Sequence, residues 1–250
     1  MKIFPLYEGS YSVDLSKKFI PFDPVIHQPK DRPGSLFIHV RPFLIQTATD
    51  LIVLDTGLGY RDEQGELFLH RHIREAGFKP ESVSLVLMSH LHYDHSGGII
   101  NETQISFPNA EYIIQRGEWE TAYSKPSSSY KTEIFDVLQR SGCIRFVEGS
   151  GQLNEQVSFE LTGGHTEFHQ AFLIKEGSET YFFGGDVLPE PEQLIRKFMA
   201  KYDFNPRQTM ELRESYGKRA AEAGWNCLYY HAKTKAMSKV GFDEQGFRII

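Results

Sequence analysis

The 250-residue sequence predicts an α/β fold in which two β-sheets pack against each other and helices cover them on the outside. Apolar, β-branched runs of strand length fall into two blocks, and each block is interspersed with or followed by amphipathic segments. A sheet and an amphipathic helix each bury one apolar face, so this order favours packed layers. The hydrophobic fraction of 40% and the charged fraction of 24% are ordinary for a globular chain. We expect one domain over residues 1–250.

The first block contains five predicted strands, at residues 2–13, 37–46, 51–55, 83–88 and 111–115. Pro5 favours a sheet edge, because proline cannot donate to a neighbouring strand. The runs 37–46 and 51–55 flank a short polar stretch and predict a hairpin. Residues 15–34 carry several prolines without a clear period, which predicts a long ordered loop. Phe19, Phe22, Val25 and Ile26 of this loop either line a pocket or pack it onto the core.

The second block contains strands at residues 143–147, 156–161, 168–175, 180–183 and 226–230. Helices are predicted at residues 62–76, 116–142 with a central break, 190–200 and 206–223. Asn205-Pro206 is a good start for the last helix and Gly224 a good stop. We expect residues 123–140 to form an insertion capable of covering a site.

The chemistry concentrates in the stretch Ser89-His90-Leu91-His92-Tyr93-Asp94-His95, which directly follows the apolar run 83–88. Imidazole and carboxylate are the usual ligands of zinc and similar metals. In an extended segment His90 and His92 point to the same side. If the chain then curls, Asp94 and His95 reach a neighbouring position, so one loop begins two metal sites. His70 and His72 lie on a predicted helix, where side chains two apart diverge, and we expect neither to be a ligand.

The net charge of −6 and the lack of a lysine or arginine cluster argue against a nucleic-acid partner. No apolar run approaches membrane-spanning length and the N-terminal residues do not resemble a signal peptide, so we expect no membrane partner and a cytoplasmic location. Cys143 and Cys227 are far apart and predict two reduced thiols. The oligomeric state stays open.

The complete pattern resembles the metallo-β-lactamase superfamily, whose signature is HxHxDH followed by a later His, an Asp and a final His. The matching residues here are His90, His92, Asp94, His95, His165, Asp186 and His231, and each of the last three follows a predicted strand. The resemblance covers essentially the whole chain and implies a four-layer αββα sandwich of two mixed β-sheets flanked by helices, the metallo-β-lactamase fold.

The resemblance also implies roles for these residues. One metal would be held by His90, His92 and His165, a second by Asp94, His95 and His231, and both by the bridging Asp186. We expect zinc, while iron or manganese suits the same ligands. Asp55 is expected to orient a ligand or to cap its turn, and His169 is a candidate for supporting the ligands from behind.

A site of this kind implies a metal-dependent hydrolase, in which a metal-bridging hydroxide opens a lactone or carboxylic ester and Asp94 orients the water or relays a proton. Phosphoester, organophosphate or thioester hydrolysis, and a low-turnover metal-containing binding or regulatory protein, are the alternatives. The acyl-homoserine lactonase and organophosphate hydrolase branch matches best, including Lys201–Pro206 and Arg213. Lactonases place a tyrosine where this chain has Pro189, and Tyr93, Tyr202 or Tyr230 are the candidate substitutes.

Overall fold

The computed structural model describes residues 1–250 and contains six α-helices, five groups of paired strands and four short 3₁₀ turns. The strands are β1 (Lys2–Pro5), β2 (Gly9–Val13), β3 (Phe19–Pro21), β4 (Leu36–Val40), β5 (Phe43–Gln46), β6 (Leu51–Leu54), β7 (Leu85–Leu87), β8 (Ile100–Asn101), β9 (Gln104–Ile105), β10 (Glu111–Gln115), β11 (Ile144–Val147), β12 (Gly151–Gln152), β13 (Val157–Leu161), β14 (Gln170–Glu176), β15 (Glu179–Phe183), β16 (Asn226–Leu228), β17 (Met237–Ser238), β18 (Val240–Asp243) and β19 (Gly246–Ile249).

The helices are α1 (Phe68–Glu75), α2 (Tyr93–Ser96), α3 (Arg116–Ser124), α4 (Thr132–Ser141), α5 (Glu192–Ile195) and α6 (Pro206–Ala223). The 3₁₀ turns are at Pro29–Asp31, Pro80–Ser82, Gly97–Ile99 and Gly185–Val187. No helix is both long enough and apolar enough to cross a membrane.

Two mixed six-stranded sheets form the centre of the molecule, with strand orders β1-β5-β6-β7-β10-β11 and β12-β13-β14-β15-β16-β17. Side chains of a strand alternate between its two faces. In β6, Ile52 and Leu54 therefore face the apolar layer between the sheets, while Leu51 and Val53 face a second layer beneath the helices. This arrangement confirms the predicted αββα sandwich.

The outer helices bury their apolar sides against these sheets. Helices α1, α3 and α4 cover the first sheet through residues such as Ile73, Trp119 and Phe135. Helix α6 covers the second sheet, where Tyr216 packs against Phe182 with ring centroids 4.6 Å apart. The predicted α6 bounds are confirmed, and the Asn205 side chain accepts a hydrogen bond from the Gln208 amide as a helix cap.

A third sheet, β3-β2-β4, corrects three predictions for the N-terminal region. Residues 2–13 are two strands: β1 is the edge of the first sheet, as Pro5 predicted, whereas β2 pairs with β4. The predicted strand 37–46 is likewise divided, because Arg41-Pro42 separates β4 from β5. The predicted loop 15–34 contains β3, which pairs with β2. The β5–β6 hairpin is confirmed.

Two predicted helices are shorter than expected. Residues 62–67 form a turn in which Asp62 Oδ1 accepts hydrogen bonds from the amides of Gln64 and Glu66, so α1 begins only at Phe68. In the predicted helix 190–200 only Glu192–Ile195 is helical, and the Phe198 carbonyl accepts a hydrogen bond from the Arg213 guanidinium instead of from a helical amide. The short strands β8, β9 and β12 and the C-terminal strands β17 to β19 were not predicted.

Candidate metal centre

The structure brings all seven predicted donor residues together at one end of the paired sheets. They lie just beyond the ends of their strands: His90 to His95 after β7, His165 after β13, Asp186 after β15 and His231 after β16. Their donor atoms form three overlapping groups, each with all atoms within 4.8 Å: His90, His92 and His165; His90, His95 and Asp186; and Asp94, His95 and His231.

Two imidazoles of the first group face each other. The distance from His92 Nδ1 to His165 Nε2 is 3.0 Å, and the His90 ring lies beside both, with centroids 4.6 and 4.8 Å away. Nitrogens that bind one tetrahedral zinc ion at the usual Zn–N length are about 3.3 Å apart. The first group therefore has the spacing of ligands to a single ion.

Asp186 extends across both halves of the site. Its Oδ1 lies 3.1 Å from His95 Nε2 and 3.1 Å from His231 Nε2, while its Oδ2 lies 3.3 Å from His165 Nε2. Asp94 Oδ2 is more distant, at 3.8 Å from His95 Nε2 and 3.6 Å from His231 Nε2. One carboxylate thus faces imidazoles from each group.

Hydrogen bonds at the Nδ1 atoms of His95, His165 and His231 fix the orientation of each ring. His95 Nδ1 donates to Asp55 Oδ2 at 2.7 Å, and His165 Nδ1 donates to Asp203 Oδ1 at 2.9 Å. His231 Nδ1 donates to the carbonyl of His39 at 2.6 Å. Because those nitrogens carry protons, each ring directs its Nε2 atom towards Asp186.

The imidazole nitrogens that face the Asp186 carboxylate show whether a cation fits between them. A lone pair that faces a carboxylate oxygen at about 3 Å is repelled unless a proton or a cation lies between them. His90 Nε2 is buried without a hydrogen-bond partner, and the buried His95 Nε2 and Asp186 Oδ1 lie 3.1 Å apart without the geometry of a hydrogen bond. Two imidazole nitrogens and a carboxylate oxygen are the donor set that zinc prefers, so the residues fit a divalent ion.

The pKa values of the site residues are shifted in directions that agree with the binding of a divalent ion. Burial, followed by the neighbouring imidazoles, holds the pKa of His90 well below its usual range. For His95, burial opposes protonation, but Asp186, Asp94 and Asp55 outweigh it and raise the pKa. Burial alone would raise the pKa of Asp186, yet the surrounding imidazoles hold it well below its usual range. Protons and a divalent cation therefore compete for the same atoms.

A close backbone contact fixes the loop that carries the motif. Asp55 adopts a positive φ of 52°, and its Oδ1 accepts a hydrogen bond from the Ser89 amide at 2.7 Å. A Cβ atom on Gly98 would lie 2.1 Å from the Thr56 carbonyl oxygen, so only glycine fits there. The two loops can approach this closely because both have small residues. Helix α2 begins at Tyr93, inside the motif.

Sequence reasoning missed Glu118, which is buried in α3. Its Oε1 accepts hydrogen bonds from the Leu91 amide and the Tyr130 hydroxyl, both at 3.1 Å, and its Oε2 accepts one from Thr166 Oγ1 at 2.7 Å. Glu118 therefore joins the loop of His90 and His92 to the loop of His165. No local pattern in α3 distinguishes Glu118 from the other polar residues of the helix, because its partners Leu91 and Thr166 are far away in the sequence.

The structure also shows the positions of the remaining histidines and of the two cysteines discussed in the sequence analysis. His169 accepts a hydrogen bond from the Asp186 amide at 3.1 Å, so it supports that residue from behind. His70 and His72 instead contact Ser106 and Glu75, outside the site. Cys143 and Cys227 are free thiols; Cys227 is buried and Cys143 is partly exposed.

A cavity of about 310 Å³ opens onto the donor residues, and we call it the metal-side cavity. His92, Asp94, His165, Asp186 and His231 line one part of it, while Val13, Phe19, Leu36, Phe37 and Ile38 provide an apolar wall from the third sheet. Val25 and Ile26 are exposed and do not line it.

The three candidate substitutes for the lactonase tyrosine take different positions. Tyr93 and Tyr202 line the metal-side cavity, as does Pro189, and the Tyr202 ring centroid is 6.0 Å from that of His165. Tyr230 is buried and its hydroxyl donates to the Asp94 carbonyl at 2.6 Å. Ser129, from the predicted insertion 123–140, also lines the cavity, while its covering role stays a prediction.

The fold and the donor set define a four-layer αββα protein with a candidate metal centre at one end of its sheets. The model of the metallo-beta-lactamase superfamily matches residues 39–237, and the chain belongs to that superfamily. This confirms the resemblance seen in the sequence.

Similar proteins include N-acyl homoserine lactonases. One from Bacillus cereus is 32% identical over 104 residues, which is 41% of this chain and 37% of the relative. One from Agrobacterium fabrum is 34% identical over 113 residues, covering 41% of this chain and 40% of the relative. The matches thus span well under half the length of these curated relatives.

Two solved structures share the fold over nearly the whole chain. A probable metal-dependent hydrolase from Staphylococcus aureus has a TM-score of 0.80 at 21% identity and covers 100% of this chain and 96% of its own. A dizinc quorum-quenching lactonase in complex with a product has a TM-score of 0.75 at 21% identity, with coverage of 99% and 93%.

Proposed function

We propose that the protein is a metal-dependent hydrolase that opens a lactone or a carboxylic ester of a small molecule. The observation that carries this proposal is the position of Asp186, whose two oxygens face His95 and His231 on one side and His165 on the other. A single carboxylate between two imidazole groups suits a pair of divalent ions that share it.

The ligand roles follow from the same contacts. His90, His92 and His165 would hold one ion, Asp94, His95 and His231 the other, and Asp186 both. Zinc suits a set of imidazoles and carboxylates, and one protein of similar fold is a dizinc lactonase. When bound, such ions supply a nucleophile at neutral pH and polarise the oxygen of the group under attack.

The chain's own residues would supply position and proton handling. Asp94 lines the metal-side cavity, and the Tyr230 hydroxyl holds its backbone carbonyl, so its carboxylate is placed to accept a proton beside the reacting group. The apolar wall from the third sheet would exclude water from the substrate and strengthen the electrostatic contacts. The lactone or ester class is supported by the relatives, which are named N-acyl homoserine lactonases.

A substrate panel tests the proposal. Purified chain reconstituted with zinc is assayed against lactones, aryl esters, thioesters and phosphoesters, beside His92→Ala and the control His72→Ala. His72 lies on α1 and bonds Glu75, so it should not affect the site. We expect lactone or ester hydrolysis by the wild type and the control, and a loss of at least about 100-fold in His92→Ala. Equal rates for wild type and His92→Ala across the panel would reject a hydrolase.

A further inference from the structure

Exposed apolar side chains are concentrated in two segments, residues 14–20 and 195–204, which together we call the cavity rim. Its 17 residues hold seven of the fifteen large hydrophobic side chains that the fold leaves exposed, among them Leu15, Met199 and Phe204. Single hydrophobic residues scattered over a surface are ordinary, whereas a concentration of this kind marks an interaction surface.

Both segments of the rim border the opening of the metal-side cavity. Lys17 belongs to the first segment, Phe198 and Tyr202 belong to the second, and all three line the cavity although they are exposed. A residue that is exposed and also part of a cavity wall lies at the opening of that cavity. The apolar side chains of the rim are therefore beside the entrance to the candidate metal centre.

The backbone of the rim is held in place, so its side chains have a fixed outward direction. The first segment is the tip of the hairpin formed by β2 and β3, and Leu15 at this tip is 97% exposed. In the second segment, the Phe198 carbonyl accepts a hydrogen bond from the Arg213 guanidinium at 2.7 Å. The Phe204 amide donates to the His165 carbonyl at 2.9 Å, yet the Phe204 side chain is 59% exposed. A preorganised surface loses little conformational freedom when it binds.

The rim is positively charged, although the whole chain has a net charge of −6. Its cations are Lys17, Lys18, Arg196, Lys197 and Lys201. Of its two aspartates only Asp14 is exposed. Glu190 and Glu192 precede the second segment, and the surface stays positive when they are included. One of the five cations forms an ion pair, Lys197 with Glu214 at 3.6 Å, and the other four form none.

This combination of charge and exposed apolar groups matches the surface of an anionic membrane. Lysine and arginine are attracted to anionic headgroups, while leucine, methionine and phenylalanine side chains enter the boundary between headgroups and acyl chains. A second copy of the chain suits the rim less well, because a symmetric contact would bring its unpaired cations together.

We propose that the cavity rim binds the surface of a bilayer that contains anionic phospholipid. Its cations contact the headgroups, and Leu15, Met199 and Phe204 enter the apolar boundary layer. Binding places the entrance of the metal-side cavity at the lipid surface. The expectation of no membrane partner was based on apolar runs and targeting segments, whereas this surface forms only when two segments distant in the sequence fold together.

Co-sedimentation with vesicles tests this surface without using catalysis, so the result is independent of the proposed hydrolysis. The zinc-loaded chain is titrated with vesicles of phosphatidylcholine, alone or with about one-quarter phosphatidylserine, at fixed ionic strength. The charge variant combines Lys18→Gln and Lys201→Gln, and neither lysine lines the metal-side cavity. The matched control combines Lys79→Gln and Lys175→Gln, which are exposed lysines outside the rim.

We expect the wild type and the control to bind the phosphatidylserine vesicles at least about tenfold more tightly than phosphatidylcholine vesicles. The charge variant should lose at least about tenfold in this affinity, because each cation near an anionic membrane strengthens binding about fivefold. Leu15→Ser combined with Met199→Ser should also weaken binding by about tenfold, because two apolar side chains no longer leave water.

The absence of wild-type binding to phosphatidylserine vesicles, or equal losses in the charge variant and the control, overturns the proposal. Analytical ultracentrifugation tests the other occupant of the rim. A dimer that Leu15→Ser with Met199→Ser disrupts, in a wild type that does not bind vesicles, would assign the rim to a contact between copies and would also overturn the proposal.

Discussion

Replacing Glu118 tests how the two histidine loops are held together. Glu118→Ala removes the acceptor for the Leu91 amide, the Thr166 hydroxyl and the Tyr130 hydroxyl. Glu118→Gln is the matched control. Its carbonyl oxygen can accept from Leu91 and Tyr130, while its amide donates to the Thr166 hydroxyl, which is able to accept.

The magnitude follows from these three contacts. A hydrogen bond to a charged group contributes about 1.5–3 kcal/mol, and a buried donor left without a partner costs about 1–3 kcal/mol. Relief of the buried carboxylate, whose pKa is raised by burial, offsets part of this loss. We expect Glu118→Ala to lower the free energy of unfolding by about 3–5 kcal/mol, and Glu118→Gln by less than about 1.5 kcal/mol.

Urea denaturation of the metal-free protein measures the stability, and competition with a chromophoric chelator measures zinc affinity. Leu91 lies between His90 and His92, and Thr166 follows His165, so Glu118→Ala should also weaken zinc binding by about 10–100-fold. A loss under about 1 kcal/mol in Glu118→Ala, or an equal loss in Glu118→Gln, would show that Glu118 does not hold the two loops together.

Three further predictions concern the ligand supports, pH and metal removal. Asp203→Asn should weaken zinc binding about tenfold in the same competition assay, because it weakens the hydrogen bond that orients His165; unchanged affinity would contradict it. Burial raises the pKa of Glu8 to about 7, so the folded chain binds this proton more tightly than the unfolded chain. The free energy of unfolding should therefore fall by about 3 kcal/mol as pH rises from about 4.5 to above 7, and urea titrations of Glu8→Ala should lack this component. Chelation of zinc should lower the thermal midpoint of the wild type by more than that of His92→Ala, because an ion that binds only the folded state stabilises it and His92 is a ligand of only one of the two ions; equal lowering in both would contradict it.

Local patterns were sufficient for much of the fold. The strand Glu111–Gln115 and the helix Pro206–Ala223 have the bounds that apolar runs and helix caps predicted. The third sheet was not predictable in this way, because β2 pairs with β4 only after the chain returns from a distant loop. Such pairing depends on long-range contacts that no window of the sequence contains.

The candidate site, like the fold, was predictable only where a local sequence pattern marks the residues. The seven donor residues were identified by spacing and by their position after strands, and the structure brings them together. Asp203 and Glu118 lack any such spacing, because each contacts the site from a separate helix or loop far along the chain. Their roles depend on the orientation of buried side chains, which only the three-dimensional packing determines.

The central claim is that Asp186 and the six other donor residues form one centre for two ions. Elemental analysis of the chain saturated with zinc and then desalted tests this claim most directly. We predict two zinc ions per chain in the wild type and in the His72→Ala control, and fewer than two in Asp186→Ala. One ion or none in the wild type, or two ions retained by Asp186→Ala, would contradict the account.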